Sequence, residues 1–286
     1  MTAERHQTQA GIPLLLTDLP ALDRLVQGFK PGDLVVVASR PSMGKSALVG
    51  QWLEVWSRQG LPCLFCSLEM SAQEVLDRML AGEANVPLSD VLHARSPHLG
   101  AGLDRIRRWP LLLDDQGGLN VLQVARKARQ AKVRYGLRAV VVDNLQLMES
   151  AAEDAPDRNG VIEATTRGLK ALAKELQVPV IALSQLNRSL EQRPNKRPVL
   201  SDLPHDGMVD QHADLVIALH REEVYRFAPD EWAGLAELLV LKNRHGVTGT
   251  ARLRWHASHV HFTEYAGQWP SHGSATVLPF RRGFEG

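Results

Sequence analysis

LVVVASRPSMGKS, residues 34–46, holds a strand, a loop and a helix start in one run. Leu34 to Ala38 is Val-rich and apolar, which reads as a buried strand. A tight loop follows, and a helix begins at Lys45. The loop closes on Gly44-Lys45-Ser46, the second half of a phosphate-binding loop of the strand–loop–GK[S/T]–helix kind. The chemistry asks for these residue types. Successive backbone N–H groups curl around phosphate oxygens, and the helix N-terminus adds its positive end. Ser39, Arg40, Pro41, Ser42, Met43, Gly44, Lys45, Ser46 and Ala47 are therefore the candidate cradle for ATP. Gly44 permits close backbone approach, Lys45 reaches the β- and γ-phosphates, and Ser46 offers a hydroxyl to Mg²⁺. One departure is visible: Ser39 stands where the usual pattern has its first glycine.

Around that run the composition sets bounds. The chain has 286 residues, 44% of them hydrophobic, enough for one large or two small domains with a sizeable core. A net charge of +1 excludes a global basic field, so nucleic acid would have to meet a local patch or one repeated around an oligomer. Cys63 and Cys66 lie three apart in a strand-like run and face opposite sides, so they read as buried structural thiols in a reducing cytoplasm. The polar N-terminus is no signal peptide, and no apolar run reaches membrane-spanning length. Residues 1–10 and 268–286 read as tails on a single domain. His256, His259 and His261 lack a recurring ligand spacing, which argues against a metal site there.

In chain order, the helix after the loop puts Leu48, Val49, Trp52, Leu53 and Trp56 on one face, and Gly60 and Pro62 end it. Cys63 to Leu68 is a second strand with Glu69 at its tip. Ser71-Ala72-Gln73-Glu74 is a capping box opening a helix that carries Arg78, either a solvated helix-face arginine or a site residue. In a doubly wound sheet the Glu69 strand would lie beside the loop strand, at the end where ligands bind. There Glu69 either polarises the water that attacks the γ-phosphate or serves the helix macrodipole. Leu111 to Asp115 is a further strand. Asn120 caps a helix running to Tyr135, and Gly136 ends it. Ala139 to Asp143 is an apolar run closing on an acid, the Walker B pattern, with Asp143 supporting Mg²⁺.

Residues 149–160 read as an exposed, mobile loop before a helix over Val161 to Leu176. Val178 to Leu183 is a strand continued by Ser184-Gln185, where Gln185 either senses the γ-phosphate or caps the strand. Residues 186–198 carry Arg188, Arg193, Lys196 and Arg197 against Glu191, either a solvated loop or a contact to a phosphate backbone. Asp214 to Leu219 is another strand. Ala236 to Trp255 then reads as a hairpin with Lys242 and Arg244 at its tip, either an exposed basic turn or an arginine finger for another subunit's ATP.

Together, ASRPSMGKS, SLEM followed by ML, VVVDNLQLM, KALAKELQVPVIALSQLNR, KRPVLSDL, DQHADLVIALHREEVY and KNRHGVTGT resemble the C-terminal ATPase domain of DnaB-type replicative helicases, in the RecA-like superfamily. The resemblance spans about Gly11 to Gly267. It implies an α/β RecA-like fold: a mainly parallel twisted sheet flanked by helices, with an antiparallel C-terminal hairpin. It implies that Lys45 and Ser46 bind phosphate and Mg²⁺, Glu69 is the catalytic carboxylate, Asp143 the Walker B acid and Gln185 the γ-phosphate sensor. It also implies that Arg244, helped by Lys242, enters the neighbour's site, in a hexameric ring or spiral on single-stranded DNA. A primase or a helicase loader is the further partner implied.

Three departures stand out. Met1 begins almost at the ATPase core, as in a minimal helicase or an excised domain. The usual Arg-Glu-Ser-Gly after KRPVLSDL is Pro204-His205-Asp206-Gly207, which leaves His205 and Gly207 as the candidate DNA contacts. The usual Tyr after the Walker B acid is Asn144. The expectation is an ATP-dependent DNA helicase. A non-unwinding loader or recombination ATPase and a nucleotide-binding docking module are the rivals.

Overall fold

A computed structural model describes residues 14–151, 158–204, 208–226 and 231–270. The helices are α1 (Pro20–Val26), α2 (Lys45–Arg58), α3 (Ala72–Ala84), α4 (Leu88–Leu92), α5 (Leu99–Ile106), α6 (Val121–Tyr135), α7 (Arg158–Leu176) and α8 (Met208–His212). The strands are β1 (Leu34–Ser39), β2 (Cys63–Ser67), β3 (Leu111–Asp114), β4 (Ala139–Asp143), β5 (Val180–Gln185), β6 (Leu215–His220), β7 (Leu235–Asn243), β8 (Gly249–His256) and β9 (His261–Glu264). They form one nine-stranded sheet in the order β3-β2-β4-β5-β1-β6-β7-β8-β9. Strands β1 to β6 run parallel, and β7, β8 and β9 are added antiparallel.

The alternation of β1 divides the core. Val35 and Val37 pack with α1 and α2, while Leu34, Val36 and Ala38 pack with α6 and α7. Every residue of β1 is buried, as a central parallel strand covered on both faces requires. Trp52 and Trp56 are fully buried on the predicted face of α2, and Phe29 packs on both rings. The Trp56 indole also donates to the Leu16 carbonyl at 2.7 Å. Truncating Trp52 or Trp56 to alanine should cost about 3–5 kcal/mol. Cys63 and Cys66 fall into the two opposite core layers, and burial pushes both thiols up to about 12. Neither thiol ionises at neutral pH, in keeping with the structural reading.

Several expectations change. The β2 strand does not lie beside β1: β4 and β5 intervene. Strand order is set by long-range pairing, and nothing local in the β2 sequence names its neighbour. The C-terminal hairpin gains a third strand, β9, whose Phe262 is buried. The helix expected from Val161 starts at Arg158. Within the loop placed at 149–160, residues 152–157 lie outside the described residues, as do His205, Gly207 and most of both expected tails. Trp269, read as tail, meets Trp232 and Tyr265 edge-on at centroid distances of 5.8 and 5.7 Å.

Candidate nucleotide-binding site

The C-terminal tips of the parallel strands surround a cavity of about 390 Å³ lined by residues 39–47, Glu69, Met70, Arg78, Gln185 and Trp255. The loop makes its own backbone cradle. Positive φ falls at Ser42 (63°) and Gly44 (96°). Ser39 is not among the positive-φ residues of the described chain. It ends β1 in register with Gln185, and its hydroxyl donates to the Arg40 carbonyl at 2.8 Å. The missing glycine is therefore no loss, because the backbone here asks for φ > 0 later in the loop. Gly44 is needed twice over: a Cβ there would also meet the Phe262 ring at 3.1 Å. As N-cap of α2, Gly44 offers no side chain to the first turn, which leaves those N–H groups without a side-chain cap.

Lys45 and Ser46 converge on Asp143. The Lys45 ammonium lies 3.2 Å from Asp143 Oδ1, and the Ser46 hydroxyl donates to Oδ2 at 2.5 Å. Asp143 itself is 1% exposed, beneath the cavity. A hydroxyl and a carboxylate are hard oxygen donors at close quarters, a set that fits Mg²⁺. Glu69 is exposed at the far side of the cavity, and Asn144 donates its amide to Glu69 Oε2 at 2.7 Å. Ser67 pairs in register with Asp143, so the β2 and β4 tips are adjacent and bring Glu69 to the site despite the changed strand order.

Arg40 lines the cavity while its guanidinium is held by the 186–198 segment. Its guanidinium pairs with Glu191 at 2.8 Å and donates to the Leu186 carbonyl at 2.8 Å. It thus ties the phosphate loop to the 186–198 segment. That segment's charge excess is largely absorbed by the fold. Arg193 pairs with Asp202 and Arg197 with Glu237, both carboxylates nearly buried. Lys196 lies over the Tyr225 ring at 5.8 Å and donates to the Arg193 carbonyl. Arg188 is 88% exposed, with Glu191 at 3.7 Å.

Lys242 and Arg244 lie at the opposite end of the sheet. Leu215 pairs with Asn243, the Arg244 N–H donates to the Asp214 carbonyl, and the Asp214 N–H donates to Leu34, the first residue of β1. The Arg244 side chain is 67% exposed and lies 3.3 Å from Asp214 Oδ1, while Lys242 donates to the Asp210 carbonyl at 2.5 Å. Asp33, Asp214 and His245 bring ligand-type atoms within 4.8 Å here, but Asp214 is already held by Lys170 and Arg244.

Residues 14–264 match the DnaB-like helicase C terminal domain. The chain belongs to that family. Among DnaB-like relatives, the Replicative DNA helicase DnaB of Leifsonia xyli subsp. xyli is 39% identical over 272 residues, 92% of this chain and 58% of the relative. The namesake from Geobacillus stearothermophilus is 36% identical over 261 residues, 88% of this chain and 56% of the relative. The chain thus spans somewhat more than half the length of these relatives. A solved ATPase domain superposes with a TM-score of 0.85 at 32% identity, covering 92% of this chain and 93% of that one. "The Structure Of A DnaB-Like Replicative Helicase And Its Interactions With Primase" superposes at 0.82 with 32% identity, covering 87% and 61%. The fold is that of a RecA-like DnaB ATPase domain.

Three residues of this DnaB-like site escaped the sequence reading. Gln146 grips Gln185: its amide donates to the Ser184 hydroxyl and the Gln185 carbonyl, and its oxygen accepts from the Gln185 N–H at 3.1 Å. Its signal was its place three after Asp143. Trp255 lines the cavity, packed on Phe262 at a centroid distance of 4.4 Å. Arg221 lies over the Trp255 ring at 5.1 Å and donates to the Ser42 carbonyl at 3.2 Å. Neither of these two has a local signal, since β8 and the segment after β6 meet the loop only in three dimensions.

Proposed function

We propose that this chain is the ATP-hydrolysing motor of a DNA helicase, turning over Mg²⁺–ATP at interfaces between identical subunits and moving along single-stranded DNA. The observation that carries the reading is the placement of two groups at opposite ends of β1. The phosphate cradle follows Ser39, and Arg244 sits beside Leu34. A six-residue strand is about 20 Å long, so Arg244 serves no nucleotide held by its own loop. A head-to-tail neighbour brings the two ends together, and such an interface repeats into a ring or a spiral, a hexamer by family likeness.

In this reading the residues 39–47 cradle and Lys45 hold the triphosphate, and Ser46 and Asp143 hold Mg²⁺, which when bound neutralises phosphate charge. Glu69 orients the attacking water. Gln185, set by Gln146, meets the γ-phosphate. Trp255, backed by Phe262 and Arg221, walls the cavity on the side away from Glu69's strand, and Arg78 lines it from α3. Arg244 and Lys242 of a neighbour add positive charge to the transition state. Arg188 faces DNA, while Arg193, Lys196 and Arg197 brace its segment, and His205 and Gly207 remain candidate DNA contacts by sequence. A primase or loader would dock on the assembled motor. We place this work in the cytoplasm; no helix among the described residues is long and apolar enough to cross a membrane.

Two measurements test this. Light scattering with an ATP analogue and single-stranded DNA should show a nucleotide-dependent oligomer, and steady-state ATPase should rise with DNA. A monomer without turnover under every condition overturns the reading. Turnover without unwinding of a forked duplex would assign the chain to ATP-driven loading instead.

A further inference from the structure

Asn144 is buried, 5% exposed, between the tips of β2 and β4. Its amide nitrogen donates to Glu69 Oε2 at 2.7 Å, while its Oδ1 is buried with no hydrogen-bond partner. Which way an amide points is decided by its hydrogen-bond network. Here only one orientation serves, because an amide oxygen turned toward the Glu69 carboxylate would be repelled. The side chain therefore holds Glu69 and leaves its own carbonyl oxygen unsatisfied, an arrangement that costs folding free energy compared with an apolar residue of the same shape. Folding does not explain it; a task at Glu69 does. Glu69 lies two residues beyond the end of β2 and is exposed, and the Asn144 amide is the partner that restrains its carboxylate among the described residues. One carboxylate oxygen is pinned, and Glu69 lines the cavity.

We infer that Asn144 is a positioning residue for Glu69: it fixes the carboxylate in the orientation that aims a water at the γ-phosphate. This rests on the reading of Glu69 as the water-orienting group. Asn144 touches no nucleotide in this scheme and acts through Glu69. A misplaced water-orienting group costs rate rather than binding, so Asn144→Leu should lower kcat by about 10- to 100-fold with KM changed less than about threefold. The same substitution made on top of Glu69→Ala should then cost almost nothing, since the pair acts as a unit.

The experiment is a double-mutant cycle of Asn144→Leu and Glu69→Ala, read as DNA-stimulated ATPase with fluorescent-nucleotide affinity as a check on folding. A second readout needs no turnover: the Asn144 side-chain amide resonance in Asn-labelled protein without nucleotide, assigned by its loss in Asn144→Asp. It should move upfield in Glu69→Ala as the hydrogen bond disappears. Wild-type kcat in Asn144→Leu, or an equal loss with and without Glu69, overturns the inference, as does an unmoved amide resonance. If Glu69→Ala itself hydrolyses ATP like the wild type, the functional reading of Glu69 fails and the positioning role falls with it. A moved amide would then show only the contact.

Discussion

The two ends of β1 solve different problems with different materials. At the C-terminal end the backbone is the instrument. The loop turns through positive φ at Ser42 and Gly44, and α2 begins without a side-chain cap. At the N-terminal end the side chains carry the structure. Asp214 is 2% exposed and accepts from the Leu34 N–H at 2.9 Å, from Lys170 at 2.5 Å and from Arg244 at 3.3 Å. Burial pushes its carboxyl up, but Lys170, the Leu34 amide and Arg244 outweigh that and hold it below the ordinary carboxylate value. At the neighbouring Asp33 the balance reverses: burial raises its carboxyl despite its contact with His245. The contrast teaches that a backbone cradle absorbs a changed side chain, as at Ser39, whereas the far end depends on particular charged groups. Binding and turnover should therefore separate cleanly between the two ends.

The sharpest way to break this is Arg244→Ala. Loss of a finger supplied in trans should lower turnover by about 10³-fold or more while nucleotide affinity stays within a few-fold. Mixing it with Lys45→Ala protein should restore some activity, because one mutant lends its cradle and the other its finger. Full activity in Arg244→Ala would erase the distinction between the ends. Lys45→Ala alone should cost about 10²- to 10³-fold in kcat and, unlike Arg244→Ala, weaken nucleotide binding as well, measurable by fluorescent-nucleotide titration. Gln146→Leu probes the wiring at the cradle end. Freeing Gln185 should cost about tenfold in DNA-stimulated ATPase, or ~1.4 kcal/mol, with basal affinity unchanged.

The smallest effect concerns stability. Glu54, on the buried side of α2, is 4% exposed, and burial raises its carboxyl to about 8. Arg58 opposes this from 3.4 Å, but Arg58 is half-exposed and makes its shorter contact, 2.7 Å, with Glu83. A carboxyl raised from 4.5 to about 8 on folding contributes stability that is complete below the lower value and lost as pH rises through the upper one. Denaturant midpoints should fall between about pH 4.5 and about pH 8, with a slope of at most ~1.4 kcal/mol per unit, and Glu54→Gln should flatten that fall.

How far the sequence could be read varied with the range of the interaction. The helix α6 was legible to the residue: Asn120 accepts from the Leu122 and Gln123 N–H groups, and Gly136 takes the left-handed cap at φ 71°. The strand β4 was equally plain, an apolar run ending on an acid. Of the candidate site, the loop, Glu69, Asp143 and Gln185 could be placed near strand tips because strand period and punctuation are local, while the choice between roles for Glu69 and Gln185 came only from the family resemblance. Arg193 and Arg197 were harder. Their partners, Asp202 and Glu237, lie 9 and 40 residues on, so the loop's apparent charge excess shrank on folding.

What the sequence determined alone was the set of parts. It contained the P-loop strand and helix, the Walker B pattern, the capped helices and the burial of β1, since these follow from apolar runs, capping and turn chemistry within short windows. Only the tertiary structure decided which parts meet. It inserted β4 and β5 between β1 and β2, brought Phe262 under Gly44, and laid Trp255 and Arg221 against the loop. It also set Arg244 at the end of β1 remote from its own cradle. Pairings between distant segments are chosen by the summed burial and hydrogen bonding of the whole sheet, and no single stretch of sequence carries that sum.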